Sequence, residues 1–291
     1  MRLARFLHDG HERGGMVVGD EIIDLTLAAP DLPDDPVLLL AAGPEALARA
    51  AEAANGATTR LALDEVALRC PVPRPHNFMA IGLNYADHIA ESGMPTPDHP
   101  VFFNKEVSCV TGPFDPIHVP RASTMVDYEG ELGFVIGRRC RHVPADRAPE
   151  VIAGYFVVDD VTARDWQFRT PQWNLGKSFD THGPIGPWIV TPDEVGDPHD
   201  LGLRTWVNGE LRQQSSTRNL VFDCFEQVAT LSTVCTLEPG DIVASGTPDG
   251  VGMAMSPPAF LAAGDVVTIE IEGVGTIANP VIDEPADTAL I

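Results

Sequence analysis

The chain has 291 residues, with 42 Asp and Glu against 19 Lys and Arg and a formal net charge of -23. That balance excludes a nucleic-acid surface, which needs a clustered basic face, and argues against docking on anionic lipid. At 44% hydrophobic, with 12 Phe and 4 Trp, the chain can bury a core without disulfide or metal staples, and no apolar run approaches the roughly 20 residues of a membrane span.

The first seventy residues read as a small α+β domain, 1–70. Leu3 to Leu7 and Val17 to Leu25 are apolar stretches separated by a Gly-rich turn, a hairpin signal. Pro44 to Ala54 is an Ala-rich helix with Asn55-Gly56 as its stop. Pro71-Val72-Pro73-Arg74-Pro75 can neither continue a helix nor pair as a central strand, so a boundary falls there. The larger domain, 71–291, is strand-dominated. Its candidate strands are Phe78 to Ile81, Val101 to Phe103, Tyr128 to Ile136, Gly154 to Val158, Ile185 to Val190, Leu203 to Val207, Ile242 to Ser245 and Val266 to Ile271. Asn208-Gly209 marks a hairpin turn. Helices are few: Tyr85 to Glu91, Ala145 to Ala153, and Asn219 to Thr230 with Leu220, Cys224, Val228 and Leu231 on one face. The class is α+β, mainly β, of the sandwich or roll type.

Five widely spaced cysteines with no C-x-x-C pattern read as reduced thiols. Met1 to Asp9 lacks the long apolar stretch of a signal peptide. The compartment expected is the cytoplasm.

Two acidic islands carry the chemistry. On an extended strand Asp127, Glu129 and Glu131 point to one face, with Leu132, Phe134 and Ile136 on the other. Like charges on one face repel, so that side either meets water, as on an exposed edge strand, or encloses a cation. The second island, Asp159-Asp160, ends the apolar run Gly154 to Val158. Oxygen-only ligands suit Mg²⁺, Mn²⁺ or Ca²⁺, and three carboxylates leave about half of an octahedral shell for substrate and water. Separately, His88 and Glu91 stand three apart on one helical face. A carboxylate beside an imidazole orients it for activating water; the plainer reading is a surface ion pair on a capped helix. Gly93-Met94-Pro95 after the helix also allows it to be a mobile lid.

Together these segments resemble the fumarylacetoacetate hydrolase family. The match runs from Ile81-Gly82-Leu83-Asn84-Tyr85-Ala86-Asp87-His88 through Asp127 to Leu132, Asp160 to Asp165, Gly176 to Asp180 and Ser245 to Gly252, and ends near Gly264-Asp265 and Gly275 to Pro280. The resemblance implies a C-terminal mixed β-sandwich roll, a smaller N-terminal domain and a homodimer. It implies Mg²⁺ or Mn²⁺, with Ca²⁺ as a substitute in crystals, on Glu129, Glu131 and Asp160, supported by Asp127 and Asp159. His88 and Glu91 would form a catalytic dyad on a closing helix, with Lys177 stabilising negative charge. Arg164, Gln167 and Thr247 would contact substrate or organise the metal site. Gly176-Lys177-Ser178 is no phosphate-binding loop, because Gln172 stands where the first glycine belongs. Glu106, after Lys105, departs from the Lys-Pro of many relatives and puts a negative charge near the expected entrance.

The activity so implied is hydrolytic carbon–carbon cleavage of an acylpyruvate-like or 2,4-diketo acid through a metal-stabilised pyruvate enolate. Oxaloacetate decarboxylation or keto–enol isomerisation of a 2-hydroxydienoate on the same site is the alternative. A non-catalytic metal-binding or small-acid-binding protein is the third reading. The partner expected is a small 2-oxo acid.

Overall fold

The computed structural model describes residues 1–288. A large mixed sheet runs, in spatial order, from Leu61–Ala62 through Glu21–Asp24, His11–Val18, Arg2–His8, Gly183–Val190, Ile152–Asp159, Gly130–Ile136, Ile242–Ala244 and Phe78–Gly82 to Val101–Lys105. A five-stranded sheet, Glu210–Ser216, Gly202–Val207, Val266–Ile271, Gly275–Asp283 and Ile117–Val119, packs on one face of it. Parallel pairs, such as Ile242–Ala244 with Phe78–Gly82, stand among antiparallel ones. The result is a mainly β fold with mixed sheets.

Period-two alternation decides where the core sits. Leu132, Phe134 and Ile136 project toward the small sheet and pack with Leu203, Ile269 and Ile277. Val135, Phe156 and Val158 project the other way and meet residues from the helices Pro36–Ala41 and Pro44–Gly56. The strand Gly130–Ile136 is paired on both sides and buried along its whole length. It is therefore no exposed edge. The first seventy residues join the sheet by strand pairing, Leu3 opposite Ile189.

Besides shifts of one or two residues at strand and helix ends, four segments differ from the sequence expectation. The stretch Val17 to Leu25 divides into His11–Val18 and Glu21–Asp24, so the opening hairpin gains a third strand. The strand expected from Tyr128 begins at Gly130, and Val126–Asp127 belongs to a separate ribbon with Thr162–Ala163. There the Asp127 carboxylate accepts the backbone N–H groups of Tyr128, Gly252 and Met253, which draws the chain out of the ladder. Ala145 to Ala153 is a 3-10 turn, Ala145–Glu150, followed by a strand, since Pro149 lacks the N–H that an α-helix needs. The helix expected from Asn219 is Cys224–Val234, started by Asp223 and Glu226, each of whose side chains accepts the other's backbone N–H. Its buried stripe of Cys224, Val228 and Leu231 is as expected.

Candidate active site

Strand register assembles the acidic site. Gly130 lies opposite Asp159 in the ladder, so the residues at that end, Glu129, Glu131 and Asp160, come from two strands onto one spot. The Asp160 N–H donates to the Glu129 carbonyl at 2.9 Å, and the Asp159 carboxylate accepts the Glu129 N–H at 3.0 Å. One carboxylate oxygen from each of Glu129, Glu131 and Asp160 lies within 4.8 Å of the other two, and all three residues are buried.

Three cations are buried with them. The Lys177 ammonium donates to Glu129 at 2.6 Å and Asp160 at 2.7 Å. Arg164 reaches Glu129 at 2.7 Å and Asp127 at 2.8 Å. Lys105 donates to Asp160 at 2.5 Å, to the His182 carbonyl at 2.9 Å and to the Lys177 carbonyl. Burial alone would raise the pKa of Glu129, but Lys177 and Arg164 overcome it and lower the group to about 2. Burial likewise opposes charge on Lys177, yet Asp160 and Glu129 hold its pKa above the usual value. Glu131 is the exception. Burial, then repulsion from Asp160 and Glu129, pushes its carboxyl well above the carboxylate range, and its hydrogen bond is to the Gly246 N–H at 2.7 Å. Gly246 presents that N–H from a backbone with φ 106°, which side chains other than glycine's rarely adopt.

The charges do not balance. Were the five buried carboxylates Asp127, Glu129, Glu131, Asp159 and Asp160 all ionised, the three buried cations Lys105, Arg164 and Lys177 would leave two negative charges in excess, and burial with like-charge repulsion accordingly raises the pKa of Glu131 and Asp159. Uncompensated charge out of water is costly. The oxygens of Glu129, Glu131 and Asp160 could hold a hard divalent cation, which would supply positive charge where the buried carboxylates crowd.

The helix Ala86–Ser92 stands across from this cluster. Tyr85 at its start is fully buried, and Gly93 ends it in the left-handed conformation. Asn84 fastens its entry: its amide donates to the Phe222 and Ser245 carbonyls, and its carbonyl oxygen accepts the Phe222 N–H. His88 Nδ1 is 3.0 Å from Glu91 Oε2, and Glu91 Oε1 accepts the Gly250 N–H at 2.9 Å. The pair is only partly exposed and lines a cavity of about 350 Å³ together with Glu129, Glu131 and Lys177. Asp160, fully buried, is not on the cavity wall.

Arg164, Gln167 and Thr247 line the same cavity. Gln167 Oε1 accepts from Arg164 at 3.0 Å, and among the described residues its amide N–H groups have no acceptor. The Thr247 hydroxyl donates to the Gly130 carbonyl at 3.0 Å and accepts from Gln213 at 2.9 Å. Gln213, which the sequence did not single out, also accepts the Gly130 N–H. Asp165 does not pair with Arg164; it accepts from Ser123 and lies 3.6 Å from Arg169. Lys105 drew notice in the sequence only through its neighbour. Glu106 itself is exposed, with its N–H on Ser178 at 2.9 Å, and does not line the cavity.

Known proteins share both sequence and fold. Residues 77–282 match the profile of the Fumarylacetoacetate (FAA) hydrolase C-terminal domain. A mitochondrial oxaloacetate tautomerase of Xenopus laevis is 44% identical over 266 residues, 91% of this chain and 83% of that protein. A maleylpyruvate hydrolase of a Sphingobium strain, solved with manganese(II) and pyruvate, is 38% identical with a TM-score of 0.83, covering 98% of this chain and 100% of its own. A fumarylacetoacetate hydrolase of Exiguobacterium antarcticum is 39% identical with a TM-score of 0.86 over the same shares. Profile, full-length relatives and fold agree, and the chain belongs to the fumarylacetoacetate hydrolase family.

Proposed function

We propose that this chain is a Mg²⁺- or Mn²⁺-dependent hydrolase that cleaves a carbon–carbon bond of an acylpyruvate-like or 2,4-diketo acid. The observation that carries the reading is that the His88–Glu91 pair lines one cavity with Glu129, Glu131 and Lys177. Glu129, Glu131 and Asp160 would hold the ion, which when bound acts as a Lewis acid toward the 1-carboxylate and 2-oxo group. With Nδ1–H donating to the Glu91 carboxylate, His88 would keep Nε2 free as the base. His88 then removes a proton from water as the oxygen attacks the 4-carbonyl. The bond between carbons 3 and 4 breaks, the acyl group leaves as a carboxylic acid, and its electron pair passes to pyruvate as an enolate that is reprotonated at carbon 3. Lys177 faces this negative charge with an ammonium already oriented by Glu129 and Asp160. The free amide of Gln167 would donate to a substrate oxygen, and Thr247 would meet substrate with its remaining lone pair. For Arg164, whose guanidinium is committed to Asp127, Glu129 and Gln167, the part proposed is to fix Glu129 and Gln167.

We extend the reading to a homodimer, to a cytoplasmic location consistent with five unpaired cysteines, and to 1–70 as a small α+β domain whose strands continue the sheet of 71–291. Among the described residues no helix is long and apolar enough to cross a membrane.

Turnover of acylpyruvates with and without EDTA, and by His88→Ala, tests the proposal. Activity should vanish with EDTA and fall about 10²–10⁴-fold in the variant; full activity in both would exclude it. The 44% identity with an oxaloacetate tautomerase favours a second reading, proton transfer without bond cleavage at the same site. Product identification separates the two: tautomerisation conserves mass, hydrolysis yields two acids, and decarboxylation would release CO₂.

A further inference from the structure

The wall of the cavity away from the carboxylates carries a feature that its ionic floor does not explain. Its cations are Arg164 and Lys177, and both are already paired with buried carboxylates. The segments that shape the rest of the wall hold almost no positive charge. No Lys or Arg occurs between Arg74 and Lys105, or anywhere after Arg218. Between Arg164 and Lys177 there is one, Arg169, and its guanidinium stacks 3.7 Å from the Trp166 ring centroid, beside Asp165.

In place of charge, the wall offers Met94, Phe168, Trp173 and Met253, with Phe103 joining them to the ionic floor, its ring centroid 5.1 Å from the Lys177 ammonium. The aromatic part is built with close packing. Phe103 and Trp173 meet edge to face with centroids 5.7 Å apart, and Trp173 lies so near Gly82 that a Cβ there would come within 2.2 Å of the indole. Met94 and Phe168 are 54% and 59% exposed although both border the cavity. Single exposed apolar side chains are ordinary, but two on the rim of one ligand-sized cavity form a surface that an apolar ligand would cover. On the helix side the wall carries the Glu91 carboxylate beside His88, with Asp87 and Asp249 behind it and off the wall.

We propose that this half of the cavity receives an uncharged, apolar acyl group, so that the preferred ligand is a 2-oxo or 2,4-dioxo acid with a single carboxylate and not a dicarboxylate. The inference rests on reading the cavity as a 2-oxo acid site. A second carboxylate would lose water against Met94, Phe168 and Trp173 with no free cation to meet it, and would feel Glu91 as a like charge.

The test uses a pair matched in length, 2-oxohexanoate and 2-oxoadipate, titrated by calorimetry into the Mn²⁺-loaded protein. The monocarboxylate should bind at least about tenfold more tightly. Met94→Lys and Phe168→Arg, both at exposed positions and checked for unchanged melting, should narrow or reverse that ratio. Equal binding, tighter binding of 2-oxoadipate, or no binding of either would overturn the inference. In parallel, turnover of 2,4-dioxoheptanoate is compared with that of 2,4-dioxoheptanedioate. Selective binding with cleavage of neither compound would leave the specificity standing and defeat the hydrolase reading; cleavage with preference for the diacid would do the reverse.

Discussion

At and behind the floor of the cavity eight ionisable side chains, five acidic and three basic, are packed out of water and hold one another in place. At its mouth Met94 and Phe168 stand in water with no charged partner. The floor is costly to build and hard to vary, because each charge depends on a neighbour for compensation. The mouth is held by shape, as where Trp173 sits against Gly82, and its residues can change without leaving a charge unpaired. In this account the chemistry resides in the first region and the choice of substrate in the second.

The contrast can be broken at its strong end first. Asp160→Ala removes one of the three proposed metal ligands and the shared partner of Lys105 and Lys177; turnover of any accepted 2-oxo acid should fall on the order of 10⁴-fold, since metal polarisation contributes several kcal/mol. Retained turnover in steady-state assays would place the chemistry elsewhere. Lys105→Met changes a side chain that is not on the cavity wall but leaves Asp160, and the carbonyls of Lys177 and His182, short of a buried partner. Denaturant unfolding of the metal-free protein should show a loss of about 3–5 kcal/mol, against almost none for Met94→Lys at the mouth.

A pH series sharpens the same contrast. In the metal-free protein burial raises the Asp159 carboxyl from 3.8 to about 7 and raises Glu131 above its usual 4.5. Between the unfolded and folded values the folded state holds more protons, so stability falls as pH rises. The melting temperature of EDTA-treated protein should therefore drop by roughly several degrees from pH 4 to pH 7. Saturating Mn²⁺ should reverse the trend, because binding requires Glu131 to lose its proton. The smallest effect belongs to the mouth. Gly82→Ala must displace Trp173 and should lower kcat/KM for an apolar substrate about tenfold, the scale of a lost hydrophobic contact, with metal stoichiometry unchanged.

Some of this was legible in the sequence. Alternation in Gly130–Ile136 separates Glu131 from Leu132, Phe134 and Ile136, and the apolar run Gly154 to Val158 points to Asp159 and Asp160 at its end. The spacing of His88 and Glu91 was enough to pair them. Other features depend on distant partners and leave no local pattern. Lys105 reads as an ordinary residue at a strand end, and its role near Asp160 arises only when residues 55 and 77 positions away close around it. Asp127 seemed to continue the acidic strand, but backbone N–H groups from Gly252 and Met253 claim it. Trp173 lies in a stretch with no periodicity, so its packing on Gly82 could not be foreseen. The start of Cys224–Val234 was written in Asp223 and Glu226, yet the apolar stripe running back to Leu220 drew the expected boundary too early.

The most direct trial of the account is the Mn²⁺ stoichiometry of the purified chain, read by calorimetry or electron paramagnetic resonance, for the native sequence, Glu131→Ala and His88→Ala. One ion per chain in the native protein and in His88→Ala, with none held tightly by Glu131→Ala, is the predicted pattern. Equal uptake by Glu131→Ala would mean that the acidic cluster is not where the ion resides.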